Sequence, residues 1–241
     1  MSMNNFFDIN YEKNMQMLSS AIEYCAMDYT HEDLIKELSG DNELKKQFCI
    51  IQINKINNQY EADLLVYNLT DKPGPIRETA SFKILELIKQ NNFKHFFQKK
   101  SILDIFIKAI VDINPSVSRN IIEILPFVDD SGYLYSKIIG EILKTQIAIK
   151  DIPDNKSYLL NKKNFNLYWN LEAIISISER ITADDTLFNI LKNTAVSKDY
   201  TIREKTAKAA FYLSKKNDIF IQILNLLAND TNMYVRRYSM L

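Results

Sequence analysis

A turn motif recurs along this chain, and it restricts the fold more than any other sequence feature. Each copy contains an Asp, then Ile or Val, then Arg, and lies between two apolar stretches of helical length. The four clear copies read Asp71-Lys-Pro-Gly-Pro-Ile-Arg77, Asp112-Ile-Asn-Pro-Ser-Val-Ser-Arg119, Asp199-Tyr-Thr-Ile-Arg203 and Asp230-Thr-Asn-Met-Tyr-Val-Arg236. Recurrence at a near-constant period is typical of repeat proteins, in which neighbouring units bury each other's apolar faces.

An apolar anchor in each turn marks the start of the following helix. With two weaker copies included, the anchors are Leu44, Ile76, Val117, Trp169, Ile202 and Val235. Successive anchors are about 32, 41, 52, 33 and 33 residues apart, which is within or near the period of helical hairpins except for the third interval. The excess falls on residues 151–165, which we expect to form a long loop, either a recognition element or a tolerated insertion.

The stretches on both sides of the turns have the apolar periodicity of α-helices. After one turn, Ile76, Ala80, Ile84 and Ile88 share a helical face. Proline lacks the backbone N–H that a helix interior requires, so Pro126 should kink its helix or end it near Leu125. With only 4 Gly and 5 Pro in 241 residues, the chain cannot form the many tight turns of a β-sandwich or barrel. An all-α fold is predicted.

Short polar side chains stand where the helices should begin. Asn114, Asp199 and either Asn232 or Asp230 are predicted N-caps, since their oxygens can accept from the free N–H groups of a first helical turn. Thr30 is placed in the same way before His31-Glu-Asp, where two acids suit the positive end of the helix dipole.

The repeated turn resembles that of the HEAT repeats and, less closely, that of the armadillo repeats. The match is clear over 59–128 and 184–241, weak over 41–58 and 129–183, and absent over 1–40. The resemblance implies a right-handed α–α superhelix, or solenoid, of about five to six helical hairpins whose second helices line a concave surface. We therefore expect residues 1–40 to form an N-terminal helical cap and residues 41–241 to form one continuous repeat domain.

Arginine is concentrated in the turns, although Lys is far commoner in this chain. Five of the six arginines lie one or two residues after an anchor. A guanidinium can hold a carboxylate or several carbonyls at once, which an ammonium cannot. We favour a structural Asp/Arg ladder along the turns over a row of anion-binding sites. The ladder residues are Asp71, Arg77, Asp112, Arg119, Asp199, Arg203, Asp230 and Arg236.

The bulk charge and the reactive residues do not point to an enzyme. Lys plus Arg and Asp plus Glu are both 30, and the resulting net charge of +0 argues against nucleic-acid or membrane-surface binding as a main role. His31 and His95 have no ligand-spaced partner, so no catalytic residue, cofactor or metal site is predicted. Cys25 and Cys49 are expected to be reduced, buried thiols. The N-terminal residues do not form a signal peptide, which predicts a cytoplasmic protein.

The HEAT-like resemblance implies a non-enzymatic scaffold or adaptor that binds an unknown protein or peptide on its concave face. The residues proposed for that contact are Tyr158, Lys162, Lys163, Tyr168 and Trp169. Trp169 is the only tryptophan, and as an anchor we expect it to pack in the core; exposed, it would be an aromatic hot spot.

Two enzymatic alternatives stay open at this point. Some HEAT-like solenoids are DNA glycosylases that use exposed aromatic residues and a carboxylate, and Trp169 with Glu172 loosely resembles that pair. The chain is also similar in its repeats to the bilin lyases, although it has no tetrapyrrole-specific motif.

The chain ends inside what the pattern predicts to be a first helix. Met233, Val235 and Tyr238 would then form an apolar edge. We expect that edge to be covered by a second copy, by a partner or by further chain.

Overall fold

The computed structural model describes residues 3–153 and 155–239, and all secondary structure in these ranges is helical. Contacts between the helices divide the chain into two compact units, Met1–Phe97 (unit 1) and Gln98–Leu241 (unit 2). Each unit is described by itself below. The expected division into a cap of residues 1–40 and one domain of residues 41–241 stays a prediction.

In its described residues, unit 1 contains five α-helices and a 3₁₀ turn. They are α1 (Met3–Ala26), α2 (His31–Glu37), α3 (Glu43–Gln52), α4 (Gln59–Tyr67), α5 (Gly74–Ile88) and the 3₁₀ turn Lys94–Phe97. Helix α3 packs along α5 and α4 pairs with α5. The predicted stripe of α5 is buried, since Ile76, Ala80, Ile84 and Ile88 are each at most 1% exposed. Burial of such a stripe is the main stabilising term for a helix of this length.

Unit 2 contains eight α-helices in the described residues. They are α6 (Lys100–Ala109), α7 (Pro115–Ile124), α8 (Ser131–Lys150), α9 (Ser157–Ile177), α10 (Asp185–Thr194), α11 (Tyr200–Ser214), α12 (Ile221–Leu227) and α13 (Met233–Arg236). Short 3₁₀ segments follow α7 and α9 and precede α12.

Unit 2 is built of antiparallel hairpins arranged in two layers. Helices α6 and α7, α8 and α9, and α10 and α11 pack as consecutive pairs. The second helices α7, α9, α11 and α13 contact one another in sequence, while α6, α8 and α10 form the other layer. Each hairpin exposes an apolar face, and its neighbour in the series covers that face.

The local signals for helix starts and stops act as the sequence predicts. Asn114, Asp199 and Asn232 each accept a hydrogen bond from a backbone N–H of their own helix. Thr30 forms a capping box with Asp33 at the start of α2. Helix α7 ends at Ile124 because Pro126 falls in the following 3₁₀ segment.

The prediction of a long loop over residues 151–165 is wrong. Helix α9 begins at Ser157, so only a short turn separates it from α8; Asp154, in this turn, lies outside the described residues. The third interval is long because it is counted to Trp169, whereas the residue three positions after the N-cap, the place of Val117 in α7 and of Ile202 in α11, is Leu159 in α9. Consequently Trp169 lies in the middle of α9 and is not the anchor of a turn.

None of the described helices is long and apolar enough to cross a bilayer. The cytoplasmic location stays a prediction.

Candidate functional site

Arg203 in α11 joins two consecutive turns of unit 2. Its Nε donates to Oδ2 of Asp230 at 2.5 Å and its Nη2 donates to Oδ1 at 3.0 Å, which makes a bidentate ion pair. Its Nη1 donates to the carbonyls of Ser197 at 2.8 Å and Lys198 at 3.2 Å. The side chains of Arg203 and Asp230 are only 16% and 7% exposed. Hydrogen bonds from Arg203 hold the pKa of Asp230 below its usual value.

In three helices, the arginine four positions after the N-cap donates hydrogen bonds to backbone carbonyls of the turn that precedes the helix. Arg203 has this position in α11, and Arg236 has it in α13, where Nη1 donates to two carbonyls of its turn at 2.5 and 3.1 Å. In unit 1, Arg77 has the same position and donates to the carbonyl of Lys72. Three of the predicted ladder arginines thus satisfy backbone acceptors that would otherwise be left unpaired.

Arg119 is not part of this arrangement. The fourth residue after the N-cap of α7 is Ser118, whose Oγ donates to the carbonyl of Asp112 at 3.2 Å. Arg119 comes one residue later, is exposed, and forms no hydrogen bond or ion pair with the described residues. Its assignment to the ladder is wrong because one residue rotates a side chain by about 100° around a helix.

The predicted aspartates fall at two different positions. Asp112 and Asp230 lie two residues before the N-cap and accept from the N–H of the N-cap residue at 2.7 and 2.8 Å. Asp71 has the same position and adopts a left-handed φ of 49°. Asp199, by contrast, is itself the N-cap of α11, and Ser197 stands two residues before it.

A cluster of charged and aromatic side chains covers one side of α9, α11 and α13. Tyr168 and Glu172 are four residues apart in α9, and Lys205, Lys208 and Tyr212 follow at three and four residues in α11, so each set projects from one helical face. We call this cluster the α9–α11 face. It consists of Tyr168, Glu172, Glu204, Lys205, Lys208, Phe211, Tyr212, Lys215, Tyr234, Arg237 and Tyr238.

Ion pairs join neighbouring helices across this face. Glu172 of α9 lies 2.5 Å from Nζ of Lys205 and 3.5 Å from Nζ of Lys208, both on α11. Arg237 of α13 donates from Nη2 to Oε1 of Glu204 at 2.8 Å. The Lys205 side chain is 10% exposed; burial works against its charge, but the Glu172 carboxylate outweighs this and raises the pKa of Lys205.

Aromatic rings lie beside the cations of the same face. Nζ of Lys205 is 4.9 Å from the ring centre of Tyr168, and Nζ of Lys215 is 4.8 Å from that of Phe211. The guanidinium of Arg237 is 4.7 Å from the ring centre of Tyr238. Such contacts hold rings at the surface that are half-buried and conformationally restrained.

Two solved structures have a similar arrangement of helices. An engineered protein from a structural genomics programme matches with a TM-score of 0.51 at 12% identity, over 88% of this chain and 96% of that chain. A designed armadillo repeat protein matches with a TM-score of 0.50 at 12% identity, over 88% and 97% of the two chains. The chain has the HEAT/armadillo-like helical-repeat fold.

The repeat fold confirms the architecture that the turn motif predicted. At 12% identity these two structures establish the fold alone, because a repeat fold supports many unrelated functions. No known family profile and no curated protein sequence matches the chain.

The five residues proposed for partner binding lie in a single helix of the repeat fold but do not form one site. Tyr158 is 68% exposed in the first turn of α9, and Lys162 is exposed one turn later. Lys163 is half-buried. Tyr168 belongs to the α9–α11 face, whereas Trp169 is 8% exposed. Trp169 therefore packs in the core, as we expected, with its ring centre 6.1 Å from that of Phe165.

The aromatic–carboxylate pair that suggested a glycosylase is not arranged for such a role. Trp169 is buried, and Glu172 is paired with two lysines. Stacking on a damaged base needs an exposed ring, which the buried Trp169 does not provide.

Both histidines have structural contacts. Nε2 of His31 lies 2.9 Å from Oε2 of Glu61, which also accepts from the N–H of Asn57 at 2.8 Å. This contact ties α2 to α4 within unit 1. His95 stacks on Phe96, with ring centres 3.9 Å apart.

The thiols differ in exposure. Cys49 is buried, and burial raises its pKa to about 11. The expectation that Cys25 is buried is wrong, since it is exposed.

Arg180 is a structural residue that sequence reasoning left out. It follows α9, and it donates to the carbonyls of Pro126 at 2.6 Å, of Val128, and of Asp129 at 3.1 Å. Lys216 does the same one repeat later, donating to the carbonyls of Glu179 at 2.6 Å and Ile181 at 2.9 Å. The sequence contains a signal for these contacts, because a cation follows the last apolar residue of both α9 and α11. This signal lies at the C-terminal ends of the helices, whereas the turn motif lies at their N-terminal ends.

The predicted C-terminal edge is only partly exposed. Met233 is 66% exposed, but Val235 is buried and Tyr238 belongs to the α9–α11 face. Self-association through this edge stays a prediction.

Proposed function

We propose that the chain is a non-enzymatic scaffold that binds a protein or peptide along the α9–α11 face. The observation that carries this proposal is the row of cation-stacked aromatic rings on α9, α11 and α13. Tyrosine and arginine contribute most to protein interfaces, because they combine a large contact area with polar groups.

The contacts within the face support a role in binding because they restrain its side chains before a partner arrives. Lys205 is fixed between Glu172 and the ring of Tyr168, and Arg237 is fixed between Glu204 and Tyr238. Restraint in advance reduces the side-chain entropy that binding would otherwise cost.

The charges of the face favour an acidic partner. Four cations, on Lys205, Lys208, Lys215 and Arg237, stand against two carboxylates. Lys215 contacts only rings, and Lys208 shares Glu172 at the longer distance of 3.5 Å. A peptide with a Glu or Asp flanked by apolar side chains would match this surplus charge and the exposed ring surface.

Selection of peptides on the immobilised protein tests the proposal. We expect enrichment of sequences with an acidic residue next to an apolar one, and loss of their binding by tenfold or more in the variant Tyr168→Ser/Tyr212→Ser/Tyr234→Ser. The matched control is Tyr60→Ser/Tyr200→Ser, which removes exposed rings outside the face.

Two outcomes would contradict the scaffold function. One is equal peptide binding by the face variant and the control variant. The other is tighter binding of a single-stranded oligonucleotide than of any selected peptide, with a steep dependence on salt, which would place the chain among nucleic-acid binders.

A further inference from the structure

A groove of about 650 Å³ opens in unit 2 beside the turn that joins α8 to α9. Its walls are the last turn of α8, Ile152 and Pro153 after it, Lys156 with the first turns of α9, and residues 193–199, which run from the end of α10 to the N-cap of α11. This volume is typical of sites that hold one small organic molecule. The groove lies at the turns and includes no residue of the α9–α11 face.

The groove opens where the Arg-and-Asp contact between consecutive turns is missing. Leu160 is the fourth residue after the N-cap of α9, the position that Arg203 has in α11. Ser197 lies two residues before the N-cap of α11, the position that Asp230 has before α13. Both Leu160 and Ser197 line the groove. An apolar side chain and a hydroxyl thus leave open the gap that a guanidinium and a carboxylate close one repeat later.

The walls of the groove carry apolar surface that none of the described residues covers completely. Ile149, Ile152 and Leu160 are half-buried along one side. Val196, on the other side, is 73% exposed. Burial of such surface by a ligand would stabilise the complex by about 25 cal/mol for each Å² removed from water.

Positive charge surrounds this apolar surface. Lys150, Lys156 and Lys198 line the groove, and none of their ammonium groups pairs with a carboxylate among the described residues. The one acidic residue in the described lining is Asp199. Its oxygens already accept from N–H and O–H of Thr201 at 2.9 and 2.8 Å and from Nδ2 of Asn164 at 3.3 Å.

We propose that this groove binds a small amphiphilic carboxylate. Its apolar chain or ring lies along Ile149, Leu160 and Val196, and its carboxylate lies among the three lysines. Lysines act as separate point charges and impose no planar, bidentate geometry, so their charges can attract a single carboxylate at the end of an apolar chain. This proposal is independent of the α9–α11 face.

Binding of octanoate to the full chain, followed by calorimetry and by NMR shifts, tests the proposal. Octan-1-ol, which has the same chain length and no charge, is the matched ligand. We expect octanoate to bind with a Kd at or below about 1 mM and octan-1-ol to bind at least fivefold more weakly.

Two variants locate the site. Lys156→Gln/Lys198→Gln should weaken octanoate binding by about fivefold or more and leave octan-1-ol binding unchanged. The control Lys108→Gln/Lys192→Gln removes two exposed lysines of unit 2 that lie outside the groove, and it should bind octanoate like the parent chain. Leu160→Arg/Ser197→Asp introduces the missing Arg-and-Asp pair and should abolish binding, with circular dichroism confirming the fold.

Any of three results would overturn the proposal. These are no octanoate binding at about 10 mM, equal affinity for octanoate and octan-1-ol, and full octanoate binding by Leu160→Arg/Ser197→Asp. Peptide binding by the α9–α11 face is measured on the same proteins, so failure of one site is distinguishable from failure of the other.

Discussion

Two consecutive junctions between turns in unit 2 have different residues at two equivalent positions. These are the fourth residue after the N-cap of one second helix and the residue two before the N-cap of the next. At the junction before α13, Arg203 and Asp230 form a bidentate pair that is almost shielded from water. At the junction before α11, Leu160 and Ser197 take these places, and a groove of about 650 Å³ lies between the turns. A bidentate ion pair thus spans one junction, whereas an apolar side chain and a hydroxyl line an open groove at the other.

The comparison shows that the fold tolerates several solutions at the position four residues after the N-cap. In unit 1, Lys46 has this position in α3, where it is 5% exposed and forms no ion pair with any residue that the structure describes. Burial lowers the pKa of Lys46, whereas the carboxylate beside Arg203 favours its charge. The repeat therefore requires apolar packing throughout, while the polar contact between turns is added at individual junctions.

Removing the Arg203–Asp230 pair from the junction before α13, which we call the closed junction, should lower the stability of the protein most. Arg203→Ala leaves the Asp230 carboxylate and the carbonyls of Ser197 and Lys198 without their donor, so we expect the free energy of unfolding to fall by about 2–3 kcal/mol. Denaturant unfolding followed by circular dichroism measures this change.

The matched control for that experiment is the arginine that stands outside the contact. Arg119→Ala should change the free energy of unfolding by less than about 0.5 kcal/mol, because Arg119 is exposed and unpaired in the described residues. Lys216 would be a poor control, since its ammonium holds two carbonyls. Similar losses in the Arg203 and Arg119 variants would show that the bidentate pair does not stabilise the junction.

The closed junction should also respond to acid in a defined direction. The pKa of Asp230 is lowered in the folded protein, so its stabilising contribution is fully present above the unfolded pKa of about 3.9 and is lost as the pH falls through the folded value. Asp230→Asn should therefore cost about 2 kcal/mol at pH 7, and the difference from the parent should shrink below about pH 4. Urea titrations at pH 7, 5 and 3 check this, and a difference that grows toward pH 3 would be inconsistent with it.

Truncation of Leu160 at the junction before α11, which we call the open junction, should lower the stability of the protein less than the changes at the closed junction. Leu160 is half-buried at the groove, so Leu160→Ala should lower the free energy of unfolding by about 1 kcal/mol, below the cost of a fully buried leucine. Thermal and denaturant unfolding measure it beside Arg203→Ala. A loss as large as that of Arg203→Ala would mean that the groove is closed in solution.

The sequence predicted the repeats and the helix starts well, because these depend on short-range chemistry. An Asn or Asp that caps its own helix acts within three residues, and the apolar period of α5 is visible without any knowledge of its neighbours. Prediction failed where the result depended on the exact position of a residue within its helix. The turn motif predicts Arg119 in the ladder, but the ladder position in α7 belongs to Ser118, one residue earlier. It also predicts a turn at Trp169, which lies in the middle of α9, one of the two longest helices of unit 2.

Of the α9–α11 face, the sequence predicted Tyr168 as a partner-binding residue, Glu172 only in the glycosylase alternative and Tyr238 only in the C-terminal edge. The members of this face lie on three helices, and their meeting depends on how α11 packs between α9 and α13. Glu172 and Lys205 are 33 residues apart in the chain, yet their charged atoms are 2.5 Å apart. No spacing rule connects such residues.

By itself the amino-acid sequence determined that this protein is a series of helical hairpins, since apolar period, caps and scarce glycine act locally along the chain. Only the tertiary structure decided which arginine reaches which aspartate, which aromatic rings stand beside cations, and which junction stays open. These outcomes depend on the axial offset between packed helices, and a shift of one residue moves a side chain by 1.5 Å and about 100°.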